Sequence, residues 1–235
     1  MVEKKKKPLP IKDQAIQTLE TESLEAAVRL LRHADLPPTE HIPLYSEILR
    51  HAYWQQKDLP AAIEIGQTGI RHGEALAESY PEDAGEILGQ VKAIYYDLAS
   101  FTWPGWDEEG IKVTPEQTRL GLEAACKNRQ LAIQLKKESL PLSRAYWLLG
   151  AQQLAAGDKT QALASFTMAE QHALEAEAGP EELLAQGFAC LTGLLANPED
   201  QSLQVEMAEI KTVLLVEEHG EMFVQQIEDA QRVFG

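Results

Sequence analysis

Residues 143–176 read SRAYWLLGAQQLAAGDKTQALASFTMAEQHALEA, and this stretch decides the fold. Tyr146 is followed three residues on by Leu149 and Gly150, while Ala162 precedes Phe166 by four residues and Ala169 by seven. Small residues at Gly150 and Ala162 let two antiparallel helices approach closely, and Tyr146, Leu149 and Phe166 fill the space around that contact. Gly157 suits the left-handed conformation that ends a helix, and Asp158 suits the cap of the next one. One such pair has no core of its own, so neighbouring pairs must bury its faces.

The spacing resembles the tetratricopeptide repeat, in which an aromatic precedes Leu-Gly and a later Ala precedes an aromatic and a second Ala. The resemblance implies an all-α fold of antiparallel helix pairs stacked as a right-handed superhelix, an α-α solenoid. The usual work of such a stack is to hold other proteins. Leu49, Tyr53, Asp58, Leu59, Ala62 and Ile63 match the middle of the pattern, so residues 43–80 read as a second pair, with departures at Arg50, Gly66 and Gly69. Ala27, Leu31 and Ala34 repeat the small–large–small spacing and mark a partial or capping unit at 13–36, which Pro37-Pro38 stops. Ala125 and Ala132 keep the seven-residue spacing, but Arg129 stands where the aromatic belongs. That segment reads as an extended helical pair with an insertion.

Apolar periodicity predicts helices at 13–34, 40–56, 59–79, 82–102, 115–138, 141–156, 159–178, 181–196, 199–218 and 220–234. Alternating β-branched runs are absent, so almost no β-structure is expected. Asp58-Leu-Pro, Thr114-Pro-Glu, Gly179-Pro-Glu-Glu and Asn197-Pro-Glu-Asp read as helix starts, and Gly157 and Gly220 as stops. The last segment is amphipathic through Met222, Phe223, Ile227, Ala230 and Phe234, and is expected to cap the end of the stack.

The chain of 235 residues is 44% hydrophobic with twelve prolines, which supports one folded domain over 13–235. Its net charge is −16, yet Lys4, Lys5, Lys6, Lys7 and Lys12 lie in the first twelve residues against a single acid, Glu3. Residues 1–12 read as a basic, disordered solubilising tail, or else as an import-like or anionic-surface patch. The acidic body repels phosphate backbones, which argues against nucleic-acid binding through the folded domain and favours a basic or zwitterionic protein partner. No secretory leader or membrane-spanning stretch is apparent, and Cys126 and Cys190 read as isolated buried thiols, which points to the cytoplasm.

Two surfaces are candidates for binding. The family resemblance places the groove of the stack on the first helix of each pair, at Leu44, Glu47, His51, Trp54 and Gln55 and at Arg144, Trp147, Ala151 and Leu154. Trp and Arg there would be interface anchors, although Trp147 reads equally as packing between neighbouring pairs. A loop at 102–114 holds two of the four tryptophans, Trp103 and Trp106, followed by Asp107. Either these indoles fold back over the helical layer, or they wall a pocket.

Catalysis finds little support. The six histidines are scattered, no pair stands four residues apart on one helix face, and no phosphate-cradling glycine loop or serine elbow occurs. The cluster Glu217, Glu218, His219 and Glu221 reads as solvated charge. No metal or cofactor is expected. The expected function is a noncatalytic adaptor that binds a peptide or helix of a partner in the groove. The alternatives are a small-molecule sensor or enzyme with a pocket beside Trp103 and Trp106, and a structural protein that self-associates as a homo-oligomer.

Overall fold

The computed structural model describes residues 9–235, and all regular structure in them is helical. In chain order the helices are α1 (Ile11–Thr21), α2 (Leu24–Arg32), α3 (Pro38–Trp54), α4 (Leu59–Ser79), α5 (Ala84–Phe101), α6 (Pro115–Gln134), α7 (Ser139–Ala155), α8 (Lys159–Glu175), α9 (Gly179–Ala196), α10 (Gln201–Leu214) and α11 (Gly220–Phe234). A short 3-10 turn, Pro104–Trp106, interrupts the connection between α5 and α6. Helices adjacent in sequence pack on one another, as in the pairs α3–α4, α6–α7, α7–α8 and α8–α9. The chain divides into two compact units, one ending at Ile94 and the other running from Tyr95 to Gly235. The boundary between them falls inside α5.

The helix predicted at 13–34 is two helices. Ser23 takes an extended conformation and its hydroxyl accepts from the Ala26 N–H at 3.1 Å, which caps α2 and ends α1 before it. α1 starts at Ile11, so Lys12 belongs to a helix and pairs with Glu47 on α3 at 3.4 Å. The rest of the basic run, Lys4–Lys7, lies outside the described residues.

In the first unit, α3 and α4 bury Ile42, Tyr45, Leu49, Tyr53, Ala62 and Ile65. The sequence departure at Gly69 is a point of close approach. A Cβ there would come within 2.8 Å of Tyr45 and 2.9 Å of Ile94. Gly73 is tighter still, since a Cβ would sit 2.3 Å from Val91. Glycine lets α4 lie against both α3 and the start of α5.

In the second unit, the α7–α8 pair has the geometry that its sequence predicts. Gly150 faces the Phe166 ring, where a Cβ would meet Cδ1 and Cε1 at 2.8 Å. Ala162, Phe166 and Ala169 are fully buried. Gly157 takes φ +83°, and the Asp158 carboxylate accepts from the Gln161 N–H at 3.0 Å to start α8. Arg129 places its guanidinium 5.7 Å from the centre of the Tyr146 ring, a cation–π contact at the position where an aromatic was expected.

Other helix starts differ in detail. Thr114 forms a capping box with Gln117, and Asp58 caps α4 as expected. α10 is capped by Asp200, the last residue of the Asn197-Pro-Glu-Asp start, and runs only from Gln201 to Leu214 against the 199–218 expected, while Gly220 opens α11 at the expected position and does not stop α10. Gly220 is required there, since a Cβ would collide with the Leu214 carbonyl. Cys126 is exposed, contrary to the buried position expected, whereas Cys190 is buried and both thiols are free.

Candidate functional site

The tryptophan loop is anchored inward. Trp103 is buried and donates its indole N–H to the Ala151 carbonyl at 2.9 Å, while Gly105 lies against its ring. Trp106 meets Trp103 edge-on at 4.9 Å and donates to the Ser100 carbonyl at 2.7 Å. Asp107 follows in the left-handed region at φ +48° and pairs with Arg232 of α11 at 2.9 Å. The folded-back reading therefore holds for Trp103, while Trp106 stays half-buried with one face open.

That open face contributes to a cavity of about 310 Å³. α7 supplies Ser143, Arg144 and Trp147 from neighbouring positions on one side of the helix. α9 supplies Glu181 and Leu184, and α5 supplies Tyr96. His219, Met222, Phe223 and Gln226, at and after the start of α11, complete the wall. The volume is at the lower end of the roughly 300–1,000 Å³ of small-ligand sites. It suits one side chain or one small molecule, and not a whole helix.

The interior wall is aromatic. Trp147 is 7% exposed, meets Phe188 edge-on at 5.0 Å and lies 6.0 Å from Trp106 with the rings tilted by 40°. Its indole N–H is buried and has no hydrogen-bond partner, a costly state for a donor. Ser143 is turned away from the cavity's chemistry, because its hydroxyl donates to the Ala169 carbonyl at 2.8 Å and ties α7 to α8.

Charge is placed at the mouth. Arg144 donates to Glu181 at 2.5 Å, with side-chain exposures of 54% and 19% respectively. Glu181 stands in the first turn of α9, where the helix dipole favours an acid. Burial pushes the Tyr96 phenol above its ordinary value, with the Arg144 charge pulling the other way and Asp97 adding to the rise. His219 takes φ +64°, remains exposed and lies 3.6 Å from Glu218.

The residues expected to form one groove behave differently in the two units. Of those in the second unit, Arg144 and Trp147 reach the cavity, but Ala151 and Leu154 are buried and do not line it. In the first unit, α1 occupies part of the face in question. Glu47 pairs with Lys12, and His51 stands 3.0 Å from Glu20, both partners lying on α1. Trp54 is 48% exposed, packed edge-on against Tyr53 with the Lys57 ammonium 5.4 Å from its ring centre, and Gln55 is exposed beside it.

Sequence reasoning did not assemble Tyr96, Glu181, Leu184, Met222, Phe223 and Gln226 with Arg144, Trp147 and Trp106. They come from segments spread over more than a hundred positions of the chain, and no local spacing links them. Among the described residues no group of three or more His, Cys, Asp or Glu is arranged to hold a metal ion. No helix there is long and apolar enough to cross a membrane. The chain matches no family model, no curated protein and no solved structure.

Proposed function

We propose that this protein is a noncatalytic recognition module of tetratricopeptide-like helix pairs, which binds a protein partner by seating one of the partner's apolar side chains in the second unit's cavity. The observation that carries the reading is the convergence of Trp106, Arg144 and Trp147 on one open cavity. Aromatic walls with one arginine at the rim are the composition of an interface anchor site. The acidic balance of the chain, −16, favours a partner with basic or zwitterionic surroundings. A noncatalytic role accords with walls whose charged groups satisfy each other and whose serine hydroxyl is committed to the backbone. In this reading the protein works in the cytoplasm, where an exposed thiol such as Cys126 stays reduced.

Affinity capture tests the proposal with wild-type, Met222→Arg and Trp54→Ala baits. Met222 is 53% exposed, so arginine at that position blocks the mouth without invading the core. A partner lost with Met222→Arg and kept with Trp54→Ala supports the cavity; the reverse pattern moves binding to α3.

The cavity's size favours a second reading, in which the occupant is a small molecule. At about 310 Å³, bounded by helices of a single unit, it accommodates one compact ligand.

A further inference from the structure

We propose that the cavity binds a free amino acid with a large apolar or aromatic side chain, its carboxylate held by Arg144 and its ammonium by Glu181. The inference rests on the small-molecule reading of the same cavity.

An ion pair stands at the mouth of the cavity. Arg144 and Glu181 already neutralise each other at 2.5 Å. A purely anionic ligand that takes Arg144 is left beside the Glu181 carboxylate, and a purely cationic ligand that takes Glu181 is left beside the Arg144 guanidinium. A zwitterion inserted between them gives every charge a partner and adds no net charge to a partly buried site. The planar guanidinium also matches the two oxygens of an α-carboxylate.

The rest of the wall is largely apolar. Trp106 and Trp147 stand 6.0 Å apart, and Leu184 and Phe223 add apolar surface. These groups accept an indole, phenyl or branched aliphatic side chain and offer nothing to a charged one. Head group and side chain are thus recognised by different parts of one cavity, which is the requirement for selecting a class of amino acid.

Titration calorimetry on the full chain tests this with L-phenylalanine, L-tryptophan, L-leucine, L-lysine and L-aspartate, alongside N-acetyl-L-phenylalanine, L-phenylalaninamide and indole. The apolar amino acids should bind, and the charged ones should not. Blocking either head group should weaken binding about tenfold or more, as expected for a lost charge-assisted hydrogen bond. Arg144→Gln should weaken L-phenylalanine yet leave phenylalaninamide no weaker or tighten it, because that ligand lacks the carboxylate and is relieved of the guanidinium's like charge. Glu181→Gln should show the same pattern with the N-acetyl derivative. Circular dichroism checks that both variants keep the helical fold. Equal binding of blocked and free amino acids overturns the inference. Binding of indole, abolished by Met222→Arg, with no binding of any amino acid also overturns it, while leaving the cavity as a small-molecule site. Absence of binding by indole and by every amino acid overturns both.

Discussion

Trp103 donates its indole N–H to the main-chain carbonyl of Ala151 at 2.9 Å, which fastens the tryptophan loop to the middle of α7. The same ring meets Trp106 at 4.9 Å and Trp147 at 5.8 Å. The loop and the cavity wall are therefore one aromatic cluster, and the position of Trp106 depends on the burial of Trp103.

Trp103→Ala should destabilise the protein by about 3–5 kcal/mol, the usual range for emptying a large buried aromatic site. Trp54→Ala, at a half-exposed position, should cost about 1 kcal/mol or less. Urea unfolding followed by circular dichroism separates the two. Equal losses would contradict the different burial of these indoles.

Gly150→Val should destabilise the α7–α8 contact by about 1–3 kcal/mol through overpacking. The added Cβ lies 2.8 Å from the Phe166 ring. Phe166→Leu placed in the same chain should recover part of that loss, and the coupling is measured by a double-mutant cycle in urea. Strict additivity would show that the two positions do not touch.

In the first unit, His72 accepts or donates at Nδ1 with the Tyr45 hydroxyl at 3.2 Å and stacks edge-on with His41 at 5.2 Å. Burial lowers the His72 pKa below its ordinary 6.5, and the neighbouring His41 and Arg32 lower it further. The folded state therefore holds its proton less tightly than the unfolded state. This contribution to stability is present in full above pH 6.5 and is lost as the pH falls through that value towards the folded pKa. Thermal midpoints measured from pH 7.5 down to 5.5 should decline, and His72→Gln should decline less steeply. A midpoint that rises on acidification would contradict the sign.

The two thiols should differ sharply in reactivity. Cys126 is exposed, whereas Cys190 is buried, donates to the Leu203 carbonyl at 3.1 Å and is pushed up to about 11 by burial, with Glu206 adding to the rise. A thiol-specific chromogenic reagent at pH 8 should label Cys126 in the native protein and reach Cys190 only after unfolding. Simultaneous labelling would place Cys190 outside the core.

Much of this architecture was legible in the sequence. The α7–α8 pair was readable because its small and large residues, its left-handed Gly157 and its Asp158 cap all fall within one local repeat. Ser23 was the missed signal at the other end: a capping residue followed by an apolar-periodic run divides what looked like one helix. That division matters, since α1 then lies against Glu47 and His51 on the face expected to be open. Trp106, Arg144 and Trp147 were each singled out from sequence, but for two separate surfaces. Their meeting depends on how α7, the loop and α11 pack, and on pairs such as Asp107–Arg232 that span 125 positions of the chain. Periodicity carries the faces of single helices; it carries no information on which distant faces come together.

Hydrogen–deuterium exchange of the full chain, with and without the species recovered by the wild-type bait, tests most directly whether the cavity is the binding site. The account predicts protection concentrated at residues 104–107, 143–148 and 219–226, with residues 44–58 unchanged. Protection confined to 44–58, or absent from all three cavity segments, would contradict it.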